Sequence, residues 1–559
     1  MIRYINKVKW VLAVVLLINT SCSDMLVVAP ETVWDVDDFY NSEERVEIGM
    51  AGIYSQFAKQ NAYGGNLSVY MEYGTDEGYY NRGWDELWAV SLYRHTTNDI
   101  HVSGTWRQLY AAINNINLFI AKIDKDAFSE ERSNELFAEV RFLRGFAYST
   151  LVSLFEEVPL RLEYVVDQSS NNVAAASLEE LYSVIIEDLE FAAMYLPHAS
   201  DDDYIPGRAN KMAAHGILAR VYMKMAGYPL QQTEYCQNAL NHCDSIISDG
   251  WHGLVVDADT LGYRNLFLNY IQNKYDARES IFEISFAENR SIGVATSGRI
   301  GNSNGLAFAY EDDGFHPVSK VYMTVSPVLD VVYELTDKRR EWNIPGMRYT
   351  AGGDAQVVPT LLEATYTAGK FRRWEPENYE DLDIKKGKDD QVEPYILLEK
   401  VEQPSKNTTG INLPVIRYAD ILLMYAEAAN EINNGPTQEA IVYLNQIRNR
   451  AGLANIEDVK PGRIANKDEF FLEIMDERLR ELCFEGLRKH DLIRWGMLGK
   501  RLEFLDQIVR GNEAFDASKT AHIGFLRAVN NFDPSKHLSL PYPLQEVTIN
   551  NLLDQKSNW

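Results

Sequence analysis

The residues of this chain best suited to chemistry are flat and polar rather than nucleophilic. Tyr79, Tyr80, Trp84 and Trp88 stand close together, with Asn81, Arg82, Asp85 and Glu86 among them. Large rings beside short hydrogen-bonding groups suit a sugar, whose C–H face stacks on an aromatic plane while its hydroxyls need partners. Phe308, Tyr310 and Trp342 are further candidates for the same platform. Spacing offers an alternative use: Trp84 and Trp88, four apart, would share one face of a short helix and pack as core. Trp342 follows the charged run 337–341, where it could anchor a helix end.

Bond-breaking groups are not assembled in this way. Gly301-Asn302-Ser303-Asn304-Gly305 fits GxSxG, but a nucleophile elbow needs a strand before the serine and a helix after it, and here the flanks read as loop. Asp76 and Glu77 are neighbours among 81 acidic residues. A glycosidase pair must face each other about 5–9.5 Å apart across a substrate, which adjacency does not provide. Asp257, Asp259 and Gly262 open like a calcium loop, but its twelfth position is Leu268 where a bidentate Glu is required. With no CxxC pair and no HExxH either, we expect no catalytic residue, no metal site and no cofactor.

The composition is that of a globular chain able to bury a large core: 559 residues, 46% hydrophobic and 24% charged. A formal charge of −27 argues against duplex nucleic acid or an anionic lipid surface as partner, since both need a basic face. At the N-terminus Arg3, Lys7 and Lys9 precede an apolar run from Trp10 to Ile18, too short for the roughly 20 residues of a membrane span and suited to a signal peptide. The run ends in Thr20-Ser21-Cys22, as in signals whose cysteine is lipidated, so we expect Cys22 to carry lipid and residues 1–21 to be removed. Cys236, Cys243 and Cys483 remain, an odd number. The first two lie about 10.5 Å apart along a helix, too far to bridge, and buried free thiols are expected.

Helical periodicity runs through both ends of the chain. Helices are predicted over Asn41–Lys59, Trp106–Ile123, Glu130–Phe155, from a Ser177/Glu180 capping box to Leu196, Asn210–Met225, Tyr235–Ile247, Arg417–Ile432 and Thr437–Arg450. The stretch Phe470–Trp495 reads as one long helix, with Leu472, Met475, Leu479 and Leu482 in an apolar stripe. Asp476/Arg480, Glu485/Arg488 and Asp491/Arg494 stand at pairing distance on its other faces, which reads as a solvated, salt-bridged surface. Asn61–His101 has poor periodicity and reads as exposed loop, the place where binding residues tend to sit. Residues 251–412 mix strand-like runs such as Ser280–Phe286 with polar loops. Helix pairs of this size suggest tetratricopeptide-like stacking, in degenerate form because no regular repeat of about 34 residues is visible.

Several motifs together resemble one family. Glu477-Arg478, Glu481-Leu482, Phe484-Glu485-Gly486, Arg488 and Asp491-Leu492-Ile493-Arg494-Trp495 are similar to the ER..EL.FEG.R..DL.RW signature of the SusD/RagB family of Bacteroidetes outer-membrane lipoproteins. Arg141–Leu160, Ala214–Met223, Arg417–Ala428, Leu444–Gly452 and Pro541–Glu546 resemble further segments in the family's order, and Gly74–Gly78 resembles one of its turns. Gly145 departs from the usual alanine.

The resemblance implies a mostly α protein. About four degenerate tetratricopeptide-like hairpins would carry an irregular, mixed α/β loop region before the last units. In this sequence that gives a signal peptide at 1–21, an N-terminal helical region at 22–250, a loop-rich region at 251–412 and a C-terminal helical region at 413–559, all in a single compact domain. It further implies a non-enzymatic lipoprotein on the cell surface that captures glycan and acts as a lid on a SusC-like TonB-dependent outer-membrane transporter. The same role with peptide cargo is the alternative, and a secreted glycosidase a weaker one.

Overall fold

Helices start where a short polar side chain can take up free backbone N–H groups. The computed structural model describes residues 39–80, 86–165, 171–289, 294–306, 319–349, 355–358, 362, 366–376, 395–399, 405 and 407–559. The signal segment and Cys22 lie outside the described residues. Helix α1 spans Glu43–Phe57. Asp99 accepts from the amides of His101 and Val102 and opens α2, Ile100–Lys122, while Ser129 opens α3, Glu130–Phe155. The capping box forms between Ser177 and Glu180 and starts α4, Leu178–Tyr195. Asn210 caps α5, Lys211–Ala226, and α6 follows over Cys236–Asp249. Beyond the middle region come α7, Tyr418–Ile432, and α8, Gln438–Arg450, capped by Thr437.

These eight helices are present with ends close to those predicted, except that α2 begins at Ile100, six residues before its expected start at Trp106, because Asp99 caps it there. They pair as α1/α2, α3/α4, α5/α6 and α7/α8, and the pairs touch in series through α2 on α3, α4 on α5 and α6 on α7. That is the order of neighbours expected of four stacked helical hairpins. The interfaces are apolar: Val46, Ile113, Leu143, Ile185, Leu218, Cys243 and Leu422 are all fully buried. Cys236, Cys243 and Cys483 are free and buried, as expected.

The middle region contributes short strands. Strand β1, Gly78–Tyr80, pairs antiparallel with β3, Met323–Val325, and β2, Ser280–Ile284, pairs with β4, Leu413–Arg417. GxSxG lies in and beside a four-residue helix, Ile300–Ser303, whose last residue is the serine, so Ser303 does not stand at a strand-to-helix turn as a nucleophile elbow requires.

Two expectations are corrected. Phe470–Trp495 is not one helix: α9 covers Lys467–Leu482 and α10 covers Arg488–Arg494. Phe484 at φ 67° and Gly486 at φ 77° break the helical path between them. A left-handed backbone costs an L residue roughly 1–2 kcal/mol, which the buried Phe484 ring must offset. The charges on these helices are not solvated either. Glu473, Glu477, Arg478, Arg480 and Glu481 are buried, since α9 packs on α7 and is covered by the middle region. Of the three pairs read from spacing, Asp491–Arg494 forms at 2.8 Å. Arg480 instead binds Glu473 and Glu477, Arg488 binds Asp76, and Glu485 binds Lys370 and Arg417.

Secondly, the described part of Asn61–His101 is mostly buried rather than an exposed loop. It lacks periodicity because internal hydrogen bonds replace regular structure. Asn66 donates to the His101 carbonyl and to Thr105, Ser91 donates to the Tyr70 carbonyl, and Tyr93 to the Gly74 carbonyl. Gly74, at φ 91°, allows the tightest approach: a Cβ there would fall 2.0 Å from the Ser91 carbonyl oxygen.

Candidate functional site

Of the aromatic residues singled out in the sequence, Tyr79 and Tyr80 lie on one ribbon and Trp88 packs against it. Tyr80, the last residue of β1, lies across from Met323, the first of β3. The chain leaving β1 and the chain entering β3 therefore meet at the same end of the ribbon. Asn81, Trp84, Phe308 and Tyr310 lie outside the described residues.

At that end the rings stack on one another. Tyr80 lies 4.6 Å from Trp88 with planes 14° apart, and Tyr73 stacks on Trp88 at 6.1 Å. Tyr70 and Tyr322 approach Trp88 at 5.0 and 5.6 Å. Trp88 is only 1% exposed and Tyr80 2%. Their faces are used by each other, so an open platform made of Trp88, Tyr79 and Tyr80 is not what the fold presents. Tyr79 points to the opposite face of the strand, as alternation requires, and packs 4.2 Å from Phe525. Trp342 is also buried and lies between the guanidinium groups of Arg264 and Arg372, at 5.5 and 4.2 Å from its ring centre. Its helix, Lys338–Asn343, is capped by Asp337, which is the helix-end anchoring that the sequence allowed.

Sequence reasoning missed the two half-exposed rings of the cluster, Tyr70 and Tyr322. Tyr70 stacks on His101 at 4.5 Å and carries the Arg299 guanidinium 5.9 Å from its ring centre. Arg299 in turn donates to Gln60, which donates to the Ser297 carbonyl. Half-exposed rings edged by an amide and a guanidinium are the combination that binds sugars. The only signal for Tyr322 was its place in a β-rich run opposite β1.

Beneath the cluster, charges fix the ribbon to the C-terminal half. Asp76 takes both Arg488 nitrogens at 2.8 and 2.7 Å and Arg501 at 2.5 Å. Burial would raise its carboxyl, but Arg488 and then Arg501 outweigh that and hold it at about 2. Glu77 accepts the Phe484 amide at 3.0 Å, yet burial pushes its carboxyl up to about 8. Two adjacent carboxyls are thus set apart, one ionised and one neutral at pH 7. Both are buried, Asp76 against Arg488 and Arg501 and Glu77 against the Phe484 amide, where they tie the ribbon to the C-terminal half. Among the described residues no group of three or more His, Cys, Asp or Glu is placed to hold a metal ion.

Comparison with known proteins decides the family. A model described as the SusD family matches residues 333–559, and one described as starch-binding, associating with outer membrane, matches 28–223. The chain belongs to the SusD family. A SusD-like protein, P25, of Formosa agariphila is 28% identical over 554 residues, covering 95% of each chain. The crystal structure of a SusD homolog from Bacteroides thetaiotaomicron superposes with a TM-score of 0.80 at 25% identity, covering 94% of this chain and 98% of that one. A laminarin binding SusD-like protein shares the fold, with a TM-score of 0.66 at 22% identity over 93% of this chain and all of its own. The two matched SusD segments hold α1–α4, most of α5, α7, α8 and the α9–α10 turn, whereas residues 224–332, which include α6, β2, β3, Arg299 and Tyr322, fall between them.

Proposed function

We propose that this SusD-family chain is a cell-surface lipoprotein, anchored through Cys22, that captures polysaccharide or oligosaccharide and hands it to a SusC-like TonB-dependent transporter. The observation that carries the reading is the shared end of the β1–β3 ribbon. There half-exposed Tyr70 and Tyr322 edge the Tyr80–Trp88 stack. In sequence Asn81 and Trp84 follow β1 directly and Phe308 and Tyr310 precede β3, and these four are part of the proposal. The binding of laminarin by a relative of the same fold supports a glycan as cargo. Binding needs stacking surfaces and hydroxyl partners, and the ribbon end provides both without any group for bond cleavage. Within this reading the chain is one compact domain.

Affinity electrophoresis of the purified mature protein through gels containing a panel of polysaccharides tests the reading. Retardation by at least one of them, lost in Trp84→Ala and weakened in Tyr322→Ala, is expected, with no reducing ends released on incubation. Retention by peptides and by no polysaccharide would overturn it in favour of peptide cargo. Palmitate should label the wild type and not Cys22→Ala, and mild detergent extraction should recover a barrel-sized transporter with the protein.

A further inference from the structure

A mainly apolar cavity of about 120 Å³ lies away from the ribbon, between the N-terminal hairpins and the α9–α10 turn. Its walls include Phe146, Ile217, Val221, Met424, Leu413 and Leu487, and its rim includes half-exposed Ser149 and Ser153. A dry apolar cavity of about 150 Å³ accommodates benzene, so this one suits a compact body of about that size.

Nearly every charge on the lining is already matched. Arg220 and Arg478 bind Asp420, Arg494 binds Glu427 and Asp491, and Glu485 binds Lys370 and Arg417. Glu72 faces His490 at 3.8 Å where this cavity adjoins a second, smaller one that Lys224 does not line. Lys224, near the end of α5, is the exception. It is 9% exposed, lines the cavity, and has no carboxylate within 4 Å of its ammonium among the described residues. A buried charge without a partner is costly and is kept only at a loss of stability, which points to use by a ligand. Burial draws the ammonium down to about 8, so at pH 7 it still carries its proton.

We propose that this cavity is a second ligand site, separate from glycan capture, for a small monocarboxylate with a compact apolar body whose carboxylate pairs with Lys224. The apolar walls take the body of the ligand, and the Lys224 ammonium, which Glu156 reaches only from beyond ion-pair distance, offers the carboxylate a direct counter-charge. The site is independent of the ribbon end, so failure of polysaccharide binding leaves it untouched.

Isothermal titration of the purified mature protein with sodium benzoate, and with benzamide as the uncharged analogue of the same shape, tests it. Benzoate should bind one-to-one and about tenfold or more tighter than benzamide. Lys224→Met should lose about tenfold or more of that affinity while its melting temperature holds or rises, because a lone buried charge is removed. Lys224→Arg, which keeps the charge, should stay within a few fold of wild type. No benzoate binding, equal affinity for benzamide, or unchanged binding in Lys224→Met would each overturn the proposal. Equal loss in the Arg and Met variants would also overturn it, since shape and not charge would then be at work.

Discussion

At the scale of residues, the paired acids 76 and 77 make opposite predictions although they are adjacent. Asp76→Asn leaves the buried Arg488 and Arg501 without their shared anion and should cost about 3–5 kcal/mol, read as a loss in thermal unfolding. Glu77→Gln keeps an acceptor for the Phe484 amide and replaces a carboxyl that is already protonated at pH 7, so it should change the midpoint little. If both variants unfold alike, the separation of the two carboxyls is wrong. Trp88→Ala removes the central ring of the stack and should cost about 3–5 kcal/mol, whereas Trp84→Ala should cost binding and leave the melting temperature in place. This division was only half legible in the sequence. Spacing of four allowed both a core and a platform reading for Trp84 and Trp88, and nothing in the chain before folding shows which rings spend their faces on each other.

Helices were the most legible elements, because cap and period are local signals. The Ser177–Glu180 box and the Glu130–Phe155 limits are as the sequence implies. The α9–α10 break was not legible, since Phe484 carries no turn chemistry and Gly486 alone is weak. What breaks the helix is tertiary: the Phe484 amide goes to Glu77, over 400 positions away, instead of to the preceding turn. Gly486→Ala tests this element. At φ 77°, with the added Cβ 3.3 Å from the Leu67 carbonyl oxygen, it should cost about 1–2 kcal/mol in denaturant unfolding. A neutral or stabilising outcome would mean the turn relaxes toward a continuous helix. Burial of the strap 61–101 was likewise hidden, because Asn66, Ser91 and Tyr93 satisfy its backbone through side chains that leave no periodic trace.

Across the whole molecule, an acidic chain encloses an interior rich in matched charge. Arg417 and Arg450 meet Glu279 and Glu481, and Arg339 meets Asp337 and Glu477, all in the core. Because these pairs are buried, added salt should screen them little. Acid should act strongly. Asp76, Asp420 and Glu477 have native carboxyls at about 2, each held down against burial by arginines. Their stabilisation is present above the unfolded value near 4 and is lost as pH falls toward 2, roughly 2–3 kcal/mol for each group. Glu77 has the opposite sign: raised to about 8, it stabilises below about 4.5 and the gain is lost as pH rises through 8. Melting temperature should therefore fall steeply below pH 4, and Glu77→Gln should flatten the gentler decline between pH 5 and 8. A single calorimetric transition across this range is expected of one domain, and two separated transitions would divide it.

The contact between Asp76 and Arg488 spans 412 positions, and this sets a clock on how the protein can be made. A ribosome adding about 5–20 residues per second needs roughly 20–80 s to cover that interval. For all of it the anion waits without its partner, and for more than half of it the edge of β1 and the Trp88 stack wait for Met323 and Tyr322. Closing so long a loop comes late in folding, since its entropy is spent before the contacts reward it. The nascent N-terminal half must then be shielded, and a chain cut before residue 488 should persist as an unfinished, protease-sensitive intermediate even though its first three helical hairpins are complete.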